Sequence, residues 1–368
     1  MTTLEEAPAT ATEVAPVVES AAVESAAVVE RMIQILNDGA INVLGSIGHQ
    51  LGLFDTLATL PWATSAQVAD AAGLNERYVR EWLGNQGAGG YVQFDAASDE
   101  WSLSPEQALC LTDPNGPVDM PGAYNIVEAT FHALGHTLEN FKSGGGMEWG
   151  EHHPCLFEGT ERFFRAGYNT NLVGAWLPAL DGVVEKLQSG AKVADVGCGH
   201  GASTILMATT YPNSEFIGYD YHRESIDVAA EKAAAAGASN ARFEVADAVG
   251  YEGKGFDLIA FFDCLHDMGD PVGVSKHARQ ALNDDGTAMI VEPFANDRVE
   301  DNLNAVGRVM YGASTQICVP VSLARKGPAL GAQAGEARLR EIVVDEGGFT
   351  RFRRATETPF NLVLEARP

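Results

Sequence analysis

Basic residues are scarce in this chain. Of its 368 residues only 24 are Lys or Arg against 50 Asp or Glu, a formal net charge of −26. Affinity for nucleic-acid phosphates and anionic headgroups comes chiefly from Lys and Arg, so neither partner is expected, and a small or neutral substrate fits better. Cysteines are few and scattered. Cys110, Cys155, Cys198, Cys264 and Cys318 make an odd number with no Cys-x-x-Cys pair, which argues against a disulfide framework or a zinc knuckle and suits reduced thiols in a cytoplasm. No apolar run is long enough to cross a bilayer, and the N-terminus carries acids where a secretory leader would carry bases. The expectation is a soluble cytoplasmic protein with no membrane partner, long enough for two domains that each bury a core.

Glycine, by contrast, is concentrated where it matters. Residues 192–196 form a short apolar run suited to a buried parallel strand, and residues 202–209 are helix candidates. Between them Gly197, Gly199 and Gly201 alternate with other residues, which lets backbone N–H groups come close to a ligand. A dinucleotide fingerprint would read Gly-x-Gly-x-x-Gly; this turn reads Gly-x-Gly-x-Gly. Asp195 lies inside the strand, where an unpaired carboxylate is costly and a cationic or polar ligand group nearby would explain it. A second strand, 216–220, ends in Asp220, placed to accept from both hydroxyls of a ribose, and a third, 242–245, runs into Asp247 and Ala248.

This succession of acids after three strands resembles the class I S-adenosylmethionine-dependent methyltransferases, over roughly residues 190–368. The resemblance implies S-adenosylmethionine as cofactor. Its methionine part would lie on the glycine turn, its ammonium near Asp195, its ribose on Asp220 with Tyr221 alongside, and its adenine at Asp247 and Ala248; Asp263 is added at the end of the fourth strand. A nicotinamide-binding fold with an atypical loop is the alternative, and it leaves Asp195 and Asp247 unexplained.

In chain order, residues 1–28 are Ala-, Val-, Glu- and Thr-rich and read as a disordered tail. Residues 29–113 open with apolar residues at helical spacing, giving one or two helices through Asn37-Asp38-Gly39. A capped short helix from Thr64, a turn at Gly73, a helix over 76–86 and a small hairpin follow. Helix, turn, helix and hairpin make a winged helix, a module that often binds DNA. Residues 31–110 carry three basic residues, Arg31, Arg77 and Arg80, against nine acids, a poor match to a phosphate-facing surface. The segment is also similar to the N-terminal dimerisation domain of bacterial and plant-type O-methyltransferases, which implies a homodimer. A transcriptional regulator that keeps the cofactor fold as a ligand sensor is the rival function.

Residues 114–187 read as a helical connector and substrate lid, rich in aromatics and histidines, with Phe131, Phe164 and Tyr168 as candidate substrate contacts. His132 and His136 lie one helical turn apart, so a metal site with His152 or His153 is conceivable. The acid expected beside such a pair in zinc hydrolases is missing, and no metal is expected. Residues 188–368 form the cofactor-binding catalytic domain, with strands near 192–197, 215–220, 241–245, 256–262 and 287–292 alternating with helices and a final pair, 350–356 and 360–366. Such alternation predicts an α/β fold, a doubly wound, seven-stranded, Rossmann-like methyltransferase sheet behind the α-helical winged-helix domain. A glycine- and proline-containing insertion, 295–334, bears Tyr311 and is placed to close over a substrate.

Methyl transfer needs alignment and exclusion of water, and a base where the acceptor is a hydroxyl. After the fourth strand comes Asp263-Cys264-Leu265-His266-Asp267. This stretch resembles the plant-type O-methyltransferases, in which the His of a His-Asp pair is the base and a glutamate after the fifth strand orients it. The matching residues are His266, Asp267 and Glu292. Two departures stand out: Met268 replaces the aromatic that follows the pair, and the second orienting glutamate is only loosely assigned, to Glu336. The alternative makes His266 a polar strand-end residue, with Asp270 and Pro271 capping the next helix. The expected activity is methyl transfer to a small-molecule acceptor, most simply a hydroxyl oxygen.

Overall fold

Residues 14–36 contain no glycine, and their one proline, Pro16, falls in what would be a first turn, so the run is good helix material. The computed structural model of the protein, which describes residues 14–116 and 118–368, makes it the start of helix α1 (Val14–Gln50). The tail expected over 1–28 therefore lies partly outside the described residues, and its later half is helical. Asn37-Asp38-Gly39 does not interrupt α1; the Gln34 amide donates to Asp38 Oδ1 at 2.7 Å across one turn. The chain divides into two compact units, Met1–Ser104 and Pro105–Pro368.

In the first unit α1 is followed by α2 (Leu53–Thr59), α3 (Ser65–Ala72), α4 (Glu76–Ala88) and the hairpin β1 (Gln93–Asp95) and β2 (Glu100–Ser102). Thr64 caps α3 in a reciprocal box with Gln67, and Gly73 ends it in the left-handed conformation, so the turn between α3 and α4 is fixed by local chemistry. Gly48 has the role expected of a small residue in α1. A Cβ there would meet the Trp82 ring of α4 at 2.5 Å, and the Trp82 indole donates to the Leu44 carbonyl at 2.8 Å. One side of α1 stays apolar and uncovered, with Met32 60 % and Leu36 72 % exposed.

The second unit begins with α5 (Pro105–Leu111), α6 (Pro121–His132), α7 (Leu134–Ser143), α8 (Cys155–Asn171) and α9 (Val183–Ser189). α6 and α8 cross closely because Gly122 faces the Gly159 carbonyl, where any Cβ would come within 2.6 Å. Then follow β3 (Lys192–Val196), α10 (Ala202–Thr210), β4 (Glu215–Asp220), α11 (Arg223–Ala235), β5 (Ala241–Val245), β6 (Phe256–Phe262), α12 (Pro271–Ala281) and β7 (Leu282–Pro293). The insertion is helical: α13 (Ala305–Gln316) and α14 (Cys318–Ala324). Strands β8 (Arg351–Glu357) and β9 (Asn361–Arg367) end the chain. The sheet order is β5-β4-β3-β6-β7-β9-β8, parallel except for β9, which is antiparallel to both neighbours. Successive residues alternate between its faces: Val193, Leu258 and Met289 join one core cluster, while Ala194, Ile259 and Ile290 join the other. That double burial is why the strands are apolar nearly throughout, and it leaves the carboxyl ends of β3, β4 and β6 as the crevice of the sheet.

Candidate active site

At those carboxyl ends lies a cavity of about 930 Å³, floored by the glycine turn. Gly197, Gly199 and Gly201 all have positive φ (78°, 52° and 78°). A Cβ at Gly197 would sit 2.8 Å from Cys264 Sγ, so the end of β6 can approach only a glycine, whereas at Gly199 a Cβ would meet nothing within 4 Å. Gly199 thus opens the backbone toward the cavity. Gly201 does not line it; its missing Cβ makes room for Phe243 and Ala229 at 2.8 and 3.0 Å, so its part is to seat α10 on the sheet.

Asp195 keeps one oxygen, Oδ1, buried with no hydrogen-bond partner. It is 1 % exposed and lies off the cavity surface, with Oδ2 accepting the Ser203 and Thr204 hydroxyls at 2.6 Å each. It ties β3 to the first turn of α10. Burial pushes its carboxyl up to about 6. Asp220 does face the cavity, and its two oxygens accept the Gly199 and His222 N–H groups at 3.0 and 2.9 Å, so the acid also shapes the turn. Tyr221, Asp247 and Ala248 line the same wall.

Nothing in the sequence pattern pointed to Arg325, which follows α14. Its guanidinium stacks 3.9 Å from the Tyr221 ring centre, donates to Asp247 Oδ2 at 3.0 Å and pairs with Glu148 at 3.3 Å. All four residues line the cavity, so the insertion reaches the wall formed by the ends of β4 and β5.

His266 sits in a 3-10 turn, Leu265–Asp267, directly after β6, and is 3 % exposed. Its Nδ1 lies 2.5 Å from Glu292 Oε2, and the other oxygen of Glu292 accepts the Leu265 N–H at 2.9 Å. Cys318 also lies near the imidazole and lines the same cavity. Burial alone would lower the His266 pKa, but the Glu292 carboxylate and Cys318 outweigh it and hold the ring well above its usual range. Glu292 is 1 % exposed and lies behind His266, off the cavity surface. Asp267 and Asp263 both line the cavity. Burial pushes Asp267 up to about 7 and Asp263 well above the carboxylate range. Asp263 has φ 52°, its Oδ1 accepts the Asn361 amide at 2.9 Å, and its Oδ2 is buried with no partner.

Among the expected substrate contacts, Phe164 and Tyr168 line the cavity. Phe131 and Tyr311 do not. α6 turns Ala123, Ile126, Val127 and Thr130 inward and leaves Phe131 62 % exposed, while α13 presents Val309, Gly312, Ala313 and Gln316, a stripe from which Tyr311 is displaced. Glu336 is bonded to Arg354 at 2.6 Å, away from His266 and the cavity. His136 contacts the Gly146 carbonyl at 3.1 Å, and His152 is buried, its pKa lowered by burial to about 4.

Comparison with known proteins agrees with this architecture. Residues 39–113 match the Rv2258c-like winged HTH domain, and residues 187–343 match a family described as a methyltransferase domain. Residues 187–343 are a methyltransferase domain, behind a winged helix-turn-helix domain. Similar solved structures include human N-acetylserotonin methyltransferase in complex with SAM, at 15 % identity over 91 % of this chain and 97 % of that one, TM-score 0.68. An O-methyltransferase family protein from Burkholderia thailandensis matches at 17 % identity over 92 % and 98 % of the two chains, TM-score 0.67. The mitomycin 7-O-methyltransferase MmcR matches at 18 % identity over 94 % and 100 %, TM-score 0.68. At such identities these likenesses establish the fold alone.

Proposed function

We propose that the protein transfers a methyl group from S-adenosylmethionine to a hydroxyl oxygen of a small, largely apolar molecule, with His266 as the base. The observation that carries the reading is the buried Glu292–His266 pair, with His266 lining the same cavity as the Gly197–Gly199 turn, Asp220 and Asp247. The cavity offers what the cofactor requires. Open space above Gly199, the unpartnered Asp263 Oδ2 and the unpartnered Tyr221 hydroxyl are polar surroundings suited to a ligand bearing hydroxyls and an amino group. When bound, S-adenosylmethionine supplies an electrophilic sulfonium methyl. Asp220 would accept from its ribose hydroxyls, and Asp247, Ala248 and Tyr221 would hold the adenine.

The chain's own residues then do the rest. Ile126, Val127, Phe164, Tyr168 and Met310 give the acceptor an apolar enclosure that keeps water from the reacting groups. Glu292 holds the proton on Nδ1 of His266, leaving Nε2 to take the acceptor's proton. Because His266 is held well above its usual pKa, the neutral, proton-accepting form becomes abundant only as pH rises, and turnover should climb toward alkaline pH. We further propose a homodimer, with the uncovered apolar side of α1 as its contact. The regulator reading loses ground on α4, where Arg77 and Arg80 are both paired, with Glu81 and Glu76, and offer no free cations to phosphate. The test is His266→Ala assayed against a panel of phenols and other hydroxyl compounds: cofactor affinity should persist while turnover falls about 100-fold or more. Turnover equal to the parent's across pH would show that positioning alone carries the reaction.

A further inference from the structure

One cluster outside the cavity has a different chemistry. His132 is the last residue of α6, and His153 and Cys155 flank Pro154 at the start of α8. Their ligand atoms all lie within 4.8 Å of one another. The two imidazoles stack at 3.9 Å with 8° between their planes, and His153 Nδ1 is 3.0 Å from Cys155 Sγ. We propose that His132, His153 and Cys155 bind a divalent transition-metal cation of the zinc type.

The donor set decides the class. Two imidazoles and a thiol are ligands for zinc-like ions, whereas Mg²⁺ and Ca²⁺ take oxygen. Three protein ligands leave a fourth tetrahedral position to water. With metal–ligand bonds of about 2.0–2.3 Å, neighbouring donors would stand roughly 3.3–3.7 Å apart, so this site closes by about an ångström on loading. Because a metal lies in the plane of each imidazole it binds, loading must also break the parallel stack, which the exposed histidine side chains can do by rotating about their side-chain bonds. Glu128, one turn before His132, has Oε1 3.7 Å from its Nε2 and can orient the ring from behind. The ligands come from the ends of two helices that both wall the cavity, through Ile126 and Thr130 on α6 and Phe157 and Thr160 on α8. A bound ion would therefore staple that wall.

Binding is coupled to one proton. On loading, the S–H bond is replaced by a sulfur–metal bond and the proton goes to solvent, so no oxidant or reductant is needed.

Cobalt(II) titration of the purified full-length protein tests the proposal. The expected result is one ion per chain with thiolate-to-cobalt charge-transfer absorption. That absorption should vanish in Cys155→Ser, and affinity should fall at least about tenfold in His132→Ala and in His153→Ala. His136→Ala, one turn along, should titrate like the parent, and excess Mg²⁺ should not displace the ion. Absence of the absorption, or its survival in Cys155→Ser, overturns the proposal. The histidine variants replace exposed side chains, so their folding should be intact and their affinities directly comparable.

Discussion

Replacing Glu292 by Gln removes one charge from a pair that is almost wholly enclosed. In the parent, one Glu292 oxygen faces His266 Nδ1 at 2.5 Å and the other accepts the Leu265 N–H at 2.9 Å. A Gln amide has a single oxygen. If it serves Leu265, its NH₂ faces the imidazole and forces the proton from Nδ1 to Nε2, the nitrogen that the reaction needs bare; if it serves His266, the buried Leu265 N–H is left opposite another donor. Removing one partner of a buried pair costs about 3–5 kcal/mol where the other stays charged. His266 avoids most of that cost by releasing its proton. A differential of about 3 kcal/mol corresponds to a fall of about 2 pKa units at 1.36 kcal/mol per unit.

The assay is an NMR titration of the imidazole resonances, with His266 assigned by its loss in His266→Gln. The sign is fixed by linkage. His266 has a folded pKa above its unfolded value, so its contribution to stability is complete below about pH 6.5 and is lost as pH rises through the folded pKa. Thermal melts should accordingly show a smaller gap between parent and Glu292→Gln at alkaline than at mildly acidic pH. A His266 pKa that moves by less than about half a unit in Glu292→Gln would refute the claim that this carboxylate sets the base.

Two further substitutions probe the cofactor-facing wall of the cavity. Asp220→Ala removes the proposed ribose acceptor and the anchor of the Gly199 and His222 N–H groups. With charged hydrogen bonds contributing about 1.5–3 kcal/mol each, S-adenosylmethionine affinity should drop at least about 100-fold by calorimetry, and near-parental affinity would remove Asp220 from the site. Arg325→Ala breaks the stack on Tyr221 and the link to Asp247. Because Arg325 is partly exposed, we expect only a several-fold loss of cofactor affinity, which shrinks as salt is added to the parent; equal affinities and equal salt dependence would make Arg325 a bystander.

The sheet was legible because a doubly buried parallel strand leaves a short apolar run, and each such run here stops at a glycine or an acid. β3, β4, β5 and β6 lie where those runs predict, whereas β7 begins at Leu282, five residues before its apolar stretch, because Leu282 already pairs with Phe256 across a register shift while Asn283 and Asp284 after it are not buried. At the start of α1 the sequence is ambiguous: low complexity suggests a tail, yet alanine and glutamate without glycine also favour a helix. In the cavity, the residues within one motif's reach of the glycine turn were readable. Asp195 and Gly201 belong to that motif but hold the turn from below, a distinction of side-chain direction that spacing does not encode. Phe131 and Tyr311 were chosen for residue type, and helical phase places them outside. Arg325 and Cys318 meet Asp247 and His266 from far along the chain, and only the packing of α13 and α14 brings them there.

The central claim is that the Gly197–Gly199 turn with Asp220 and Asp247 forms an S-adenosylmethionine site. Calorimetric titration of the purified protein with S-adenosylmethionine and, separately, with NAD tests it most directly. The account predicts saturable, one-to-one binding of S-adenosylmethionine and no detectable heat with NAD. Binding of NAD alone would contradict it.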